Sequence, residues 1–65
     1  MINTELLNKR ILASRKTKKE LASIMGMSPS SFYRRCSGKV SFRVGEFMHL
    51  CALINATIDE INAII

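Results

Sequence analysis

Apolar side chains recur along this chain every three or four positions and not every second one, the period of helices that bury one face. Ile2, Leu6, Leu7, Ile11 and Leu12 form one stripe and predict a first helix over residues 2–13. Thr17-Lys18-Lys19-Glu20 has the capping-box pattern, and Leu21, Ala22, Ile24 and Met25 behind it predict a second helix over 18–25. Gly26 suits the left-handed turn that ends such a helix. Ser28-Pro29 opens a third, because Ser is a good N-cap and Pro is tolerated where no amide is needed. It runs to about Cys36, with Phe32 and Cys36 inward one turn apart and Gly38 as its stop. Phe47, Leu50, Cys51 and Ile54 predict a fourth helix over 43–54. Thr57-Ile58-Asp59-Glu60 is a second capping box and starts a short last helix that runs to the C-terminus. Lys39–Arg43 is too short and too mixed for a strand. The expected fold class is all-α, a compact bundle of five short helices.

Composition narrows what such a bundle can do. Sixty-five residues, 48% of them hydrophobic, make one small domain over 1–65, too small for a deep catalytic cavity. No apolar run approaches the roughly 18 residues of a membrane span. Met1–Arg10 lacks a basic start followed by an apolar block, so no secretory signal is expected. Cys36 and Cys51 are too few for a disulfide scaffold and read as reduced, semi-buried thiols of a cytoplasmic protein. Met25, Met27 and Met48 read as core fillers.

Charge changes the picture more. All ten Lys and Arg lie between Lys9 and Arg43, and from the start of the chain up to Arg43 only Glu5 and Glu20 oppose them. From Val44 onward there is no Lys or Arg, and Glu46, Asp59 and Glu60 leave that end weakly acidic. A basic segment joined to an apolar, weakly acidic one divides the chain into a polyanion-binding face and a structural or association face.

Only about three residues separate the second and third helices, which forces them to cross at a large angle. Ala22 is small where they approach, and Met27 and Phe32 fill the wedge. That arrangement is a helix-turn-helix. Its third helix leaves Ser28, Ser30, Ser31, Tyr33, Arg34 and Arg35 outside the core. Glu20-Leu21-Ala22, Met25-Gly26-Met27-Ser28, Ser31-Phe32-Tyr33-Arg34 and Gly38-Lys39 resemble the phage repressor and Cro-type helix-turn-helix DNA-binding proteins. Phe47, Leu50, Ile54 and Thr57-Ile58-Asp59-Glu60-Ile61 extend that resemblance over nearly the whole chain, which looks closest to the short Cro-like members.

The resemblance implies a lambda repressor-like domain with its third helix in the major groove of double-stranded DNA. It implies base contacts at Ser28, Pro29, Ser30, Tyr33 and Arg34. It implies phosphate contacts at Thr17, Lys18, Ser37, Lys39, Ser41 and Arg43. Two positions depart from the family. Pro29 stands where many relatives carry a long polar base-reading side chain, which shifts reading to Ser30, Tyr33 and Arg34. Arg35 stands where many are apolar, so Cys36 is expected to take over the packing and Arg35 to turn towards phosphate.

Chemistry assigns roles independently. Arg34 can form a paired hydrogen bond with guanine, Tyr33 can stack or touch a thymine methyl, and Ser28 is first of all a cap. Lys18, Lys19, Lys39 and Arg43 supply affinity that is blind to sequence. Ile58, Ile61, Ile64 and Ile65 are many aliphatics for one short helix. Ile58 and Ile61 can close the core while Ile64 and Ile65, with part of the fourth helix, form a dimer patch, and Ile58, Ile61, Ile64 and Ile65 together are assigned to that patch. A homodimer would set two reading helices about 34 Å apart on a palindromic operator.

Catalysis has no support in the pattern. His49 is alone, the cysteines form no C-x-x-C pair, and the acids form no dyad. No metal, cofactor, small-molecule ligand or membrane partner is expected. The reading is a cytoplasmic, bacterial or phage-encoded transcriptional repressor. Its rivals are a small helical protein-interaction module (an antitoxin or anti-repressor) and a non-specific nucleic-acid binder.

Overall fold

The helix boundaries follow from hydrogen bonds made within a few residues of each end. The computed structural model describes residues 2–65. Asn3 is extended and its Oδ1 accepts the Leu6 amide at 3.1 Å, so α1 spans Thr4–Ala13 and begins two residues later than its apolar stripe. Helix α2, Lys18–Ile24, is held by the Thr17–Glu20 box in both directions. Helix α3, Pro29–Cys36, starts with the Ser28 hydroxyl accepting the Ser31 amide and Pro29 at the first helical position. Helix α4 spans Val44–Leu53, with the Glu46 carboxylate accepting the Arg43 amide at 2.9 Å. Helix α5, Ile58–Ile64, carries the second complete box, Thr57 with Glu60. No strand occurs among the described residues.

Gly26 (φ 71°) and Gly38 (φ 86°) are left-handed and end α2 and α3. In each case the glycine amide and the next one return to carbonyls of the last turn: Gly26 to Ser23 and Met27 to Ala22, then Gly38 to Arg35 and Lys39 to Arg34. Arg15 (φ 62°) and Asn55 (φ 54°) do the same work after α1 and α4, where no glycine marked the stop. Gly26→Ala is expected to lower stability by about 1 kcal/mol, because an L side chain there is strained even though space is open. Urea denaturation measures it, and an unchanged midpoint would refute the strain.

The core gathers Leu7 and Ile11 of α1, Leu21 and Ala22 of α2, Phe32 and Cys36 of α3, and Phe47, Leu50 and Cys51 of α4, with Ile54 and Ile64. Phe42, in the loop before α4, meets Phe32 edge-on at 6.3 Å and tilts over Phe47 at 6.1 Å. Met25 and Met27 pack on the rim of this core. Asn8 Nδ2 ties α1 to α3 by donating to the Cys36 carbonyl at 3.0 Å.

Several apolar residues face solvent instead. Leu12 is 80% exposed, and Ile24 and Met48 are also exposed, so Met48 is no core filler. The helical register explains Leu12: Leu7 and Ile11 lie one turn apart and face inward, and Leu12 follows at about 100° around the axis. The last helix reverses an expectation. Ile64, expected at an association patch, is 1% exposed, and Ile61 packs against the core. Ile58, open to either the core or the patch, is 76% exposed, and Ile65 is 67% exposed. The register of α5 is set by α1. The Asn3 amide donates to the Ile64 carbonyl at 2.6 Å, and Arg10 Nε lies 2.8 Å from Glu60 Oε2.

Candidate nucleic-acid interface

Helices α2 and α3 are the most extensively packed helix pair, joined by the turn at Gly26, and Ala22 of α2 is fully buried. Phe32 and Cys36 anchor α3 from below. The opposite side of α3 is therefore uncovered. Ser28, Pro29, Ser30, Tyr33 and Arg34 are all exposed there, and Ser31 is half-buried. Ser30, Tyr33, Arg34, Ser37 and Lys39 line one shallow, open hollow. The end of α3 is pinned: the Arg34 carbonyl accepts the Ser37 hydroxyl at 3.0 Å and the Lys39 and Val40 amides at 3.0 and 3.3 Å. Backbone fixed in this way presents the Arg34 side chain from a rigid base.

Cations flank this surface. Thr17 and Lys18 stand at the start of α2, where Arg15, Lys16, Thr17 and Lys18 rim a second hollow with Asn8, Ile11 and Leu12. Lys19 and Lys39 are exposed, and Arg43 stands exposed at the residue before α4. Lys18 Nζ lies 5.9 Å from the centre of the Tyr33 ring, a contact between α2 and α3 that spacing alone does not reveal.

Arg35 has a different environment from the one expected. Its Nε donates to Glu46 Oε1 at 3.1 Å and its Nη1 to the Ser31 carbonyl at 3.2 Å, and its side chain is mostly covered. The guanidinium faces inward and bolts α3 to the start of α4, so it is engaged within the fold and not turned outward as expected. The same carboxylate accepts the Arg43 amide, so Glu46 serves as cap and clasp together.

These contacts set a pH response. The Arg43 amide, with Arg35 assisting, holds the Glu46 carboxyl below its ordinary value of 4.5, against some desolvation. The Thr57 amide does the same for Glu60, with smaller contributions from the Thr57 hydroxyl and Arg10. A lowered folded-state value means that the stabilisation is complete above the ordinary carboxylate range and is lost as pH falls through the lowered values. Melting temperature is expected to hold steady from pH 7 to about 5 and drop below about 4.5, and Glu46→Gln should flatten that drop. An equally steep drop in Glu46→Gln would remove Glu46 from this account.

Other chemistry is quiet. Burial pushes the Cys36 thiol up to about 11, with Lys18 opposing, and burial also raises Cys51. Both are free and buried, an environment that disfavours the thiolate. His49 is exposed, and no group of three or more potential ligands that could hold a metal ion occurs among the described residues. No helix among them is long and apolar enough to cross a membrane.

The sequence model of the Cro/C1-type HTH DNA-binding domain matches residues 6–65, from the first turn of α1 through α5. The chain belongs to the Cro/C1-type helix-turn-helix DNA-binding domain family. Membership accounts for the tight α2–α3 crossing and assigns DNA as the polyanion that the basic face serves. No curated protein and no solved structure matched the chain. Against the family background, the Arg35–Glu46 clasp and the Lys18–Tyr33 contact are the two features of the interface that sequence reasoning missed. For the first, the only local signal is Glu46 at the third helical position after Arg43.

Proposed function

We propose that this protein is a sequence-specific transcriptional repressor of the Cro-like, phage-encoded kind. It works as one helix-turn-helix unit in the bacterial cytoplasm and blocks transcription by occupying an operator. The observation that carries the reading is the bare outer surface of α3, where Tyr33 and Arg34 project between the cationic flanks at Lys18 and Lys39. Arg34 reads a guanine, Tyr33 and Ser30 contact neighbouring bases, and Ser28 and Pro29 shape the helix start. Thr17, Lys18, Lys19, Ser37, Lys39 and Arg43 hold phosphates. Arg35 leaves that group, because its guanidinium is engaged by Glu46. No cofactor or small ligand enters the mechanism, and control comes from concentration and salt-sensitive affinity.

The protein binds as a homodimer on a palindromic operator. Support comes from uncovered aliphatics on the weakly acidic end: Ile58 and Ile65, two turns apart on one side of α5, and Val44 and Met48, one turn apart on α4. Ile64 and Ile61 serve the core instead.

Selection of bound duplexes from a random pool tests the reading. The expected product is a palindrome with half-sites about 10 base pairs apart, preferred about 10³-fold over random DNA. Arg34→Ala should relax preference at one base pair by about 1–3 kcal/mol, and Lys39→Ala should weaken all duplexes alike. Equal loss on specific and random DNA for Arg34→Ala would remove its reading role. Tight capture of a protein with no DNA shift would favour the interaction module.

A further inference from the structure

We propose that Lys18 is a positioning residue for base readout: its ammonium, over one face of the Tyr33 ring, fixes that ring so that its free edge meets a thymine methyl in the major groove. The inference deepens the proposed function and rests on α3 being the reading helix. Three observations support it. Lys18 Nζ is 5.9 Å from the ring centre, within reach of the attraction between a cation and the electron-rich ring face. The base of Lys18 is rigid, because it is the first residue of α2 and lies inside the Thr17–Glu20 box. No carboxylate competes for it: Glu20 is engaged by Thr17, and Lys18 is in no ion pair among the described residues.

The consequence concerns order, not only attraction. Tyr33 is 49% exposed and would otherwise sample several rotamers over the groove. A covered face leaves the ring edge to face DNA, and an apolar edge suits a thymine methyl better than the polar edge of a G·C pair. An ammonium has three N–H donors, so Lys18 can keep the ring and still donate to a phosphate. One residue then links sequence-blind attraction to sequence reading.

The experiment is a binding profile over all single base-pair substitutions of the selected operator. It compares the wild type with Lys18→Met, Lys18→Arg, Tyr33→Leu and the Lys18→Met/Tyr33→Leu double variant, with melting curves to certify folding. Tyr33→Leu should flatten preference at one base pair. Lys18→Met should cut preference at that same pair about threefold, leave the pair governed by Arg34 untouched, and be rescued by Lys18→Arg. In the Tyr33→Leu background, Lys18→Met should only lower affinity evenly. If Lys18→Met weakens every duplex by one factor with the profile unchanged, Lys18 is a phosphate contact and the proposal fails. If Tyr33→Leu moves no preference while Arg34→Ala does, the proposal fails and the proposed function stands. If no duplex is preferred by the wild type, both fail.

Discussion

Phe32→Ala is expected to lower the stability of the protein by about 3–5 kcal/mol, a large share of its total. Phe32 is fully buried and stands first among the largest enclosed side chains. It holds α3 against the body of the fold and meets the edge of Phe42. Truncating a buried Phe to Ala removes about 3–5 kcal/mol, by lost transfer energy and the cavity left behind. A chain of this length has roughly 3–10 kcal/mol of total stability, so one residue accounts for much or all of it. Circular dichroism and urea titration measure the outcome. Phe32→Leu, which keeps most of the volume, should stay folded with a lowered midpoint. A Phe32→Ala variant melting within a few degrees of the wild type would show that α3 is held by something else.

The second large effect is on binding. Raising salt from about 50 to 200 mM should weaken operator affinity by about 10⁴-fold. The estimate follows from the free cations beside α3. Lys18, Lys19, Lys39 and Arg43 give four phosphate contacts per protomer, and a dimer doubles them. At about 0.9 counterions per contact, the logarithmic slope is close to −7. A single protomer gives about half that slope, so one titration also reports stoichiometry. Arg35→Gln provides the contrast. It should leave the slope unchanged and lower thermal stability, because the Arg35 guanidinium is bonded to Glu46 and the Ser31 carbonyl. Should Arg35→Gln flatten the slope as Lys39→Ala does, the clasp is not what Arg35 does in the complex. A wild-type slope near zero would end the nucleic-acid reading altogether.

The five helices and the tight crossing were legible in the sequence, and the reason is local. A capping box is closed between residues three apart, as at Thr17 with Glu20 and Thr57 with Glu60, so the sequence carries both halves of the signal. Ser28-Pro29 and the left-handed glycines at 26 and 38 act over the same short range. The outer surface of α3 followed in part from these: with Phe32 and Cys36 inward, Ser30, Tyr33 and Arg34 face out, whereas Arg35 does not. Asn3 shows the limit of the apolar stripe: a side-chain cap, not Ile2, decided where α1 begins.

What the sequence by itself determined is which segments are helical, where they stop, and which end of the chain is cationic. Each depends on backbone hydrogen bonds a few residues long or on composition. Tertiary structure alone decided which way each marginal side chain turned. Arg35 meets Glu46 eleven residues on, Arg10 meets Glu60 across the bundle, and Lys18 meets Tyr33 from a neighbouring helix. Ile64 went inward and Ile58 outward because contacts with α1 set the rotation of α5. Helical periodicity leaves that rotation open by a fraction of a turn, and only the partner helix, present once the chain has folded, closes it.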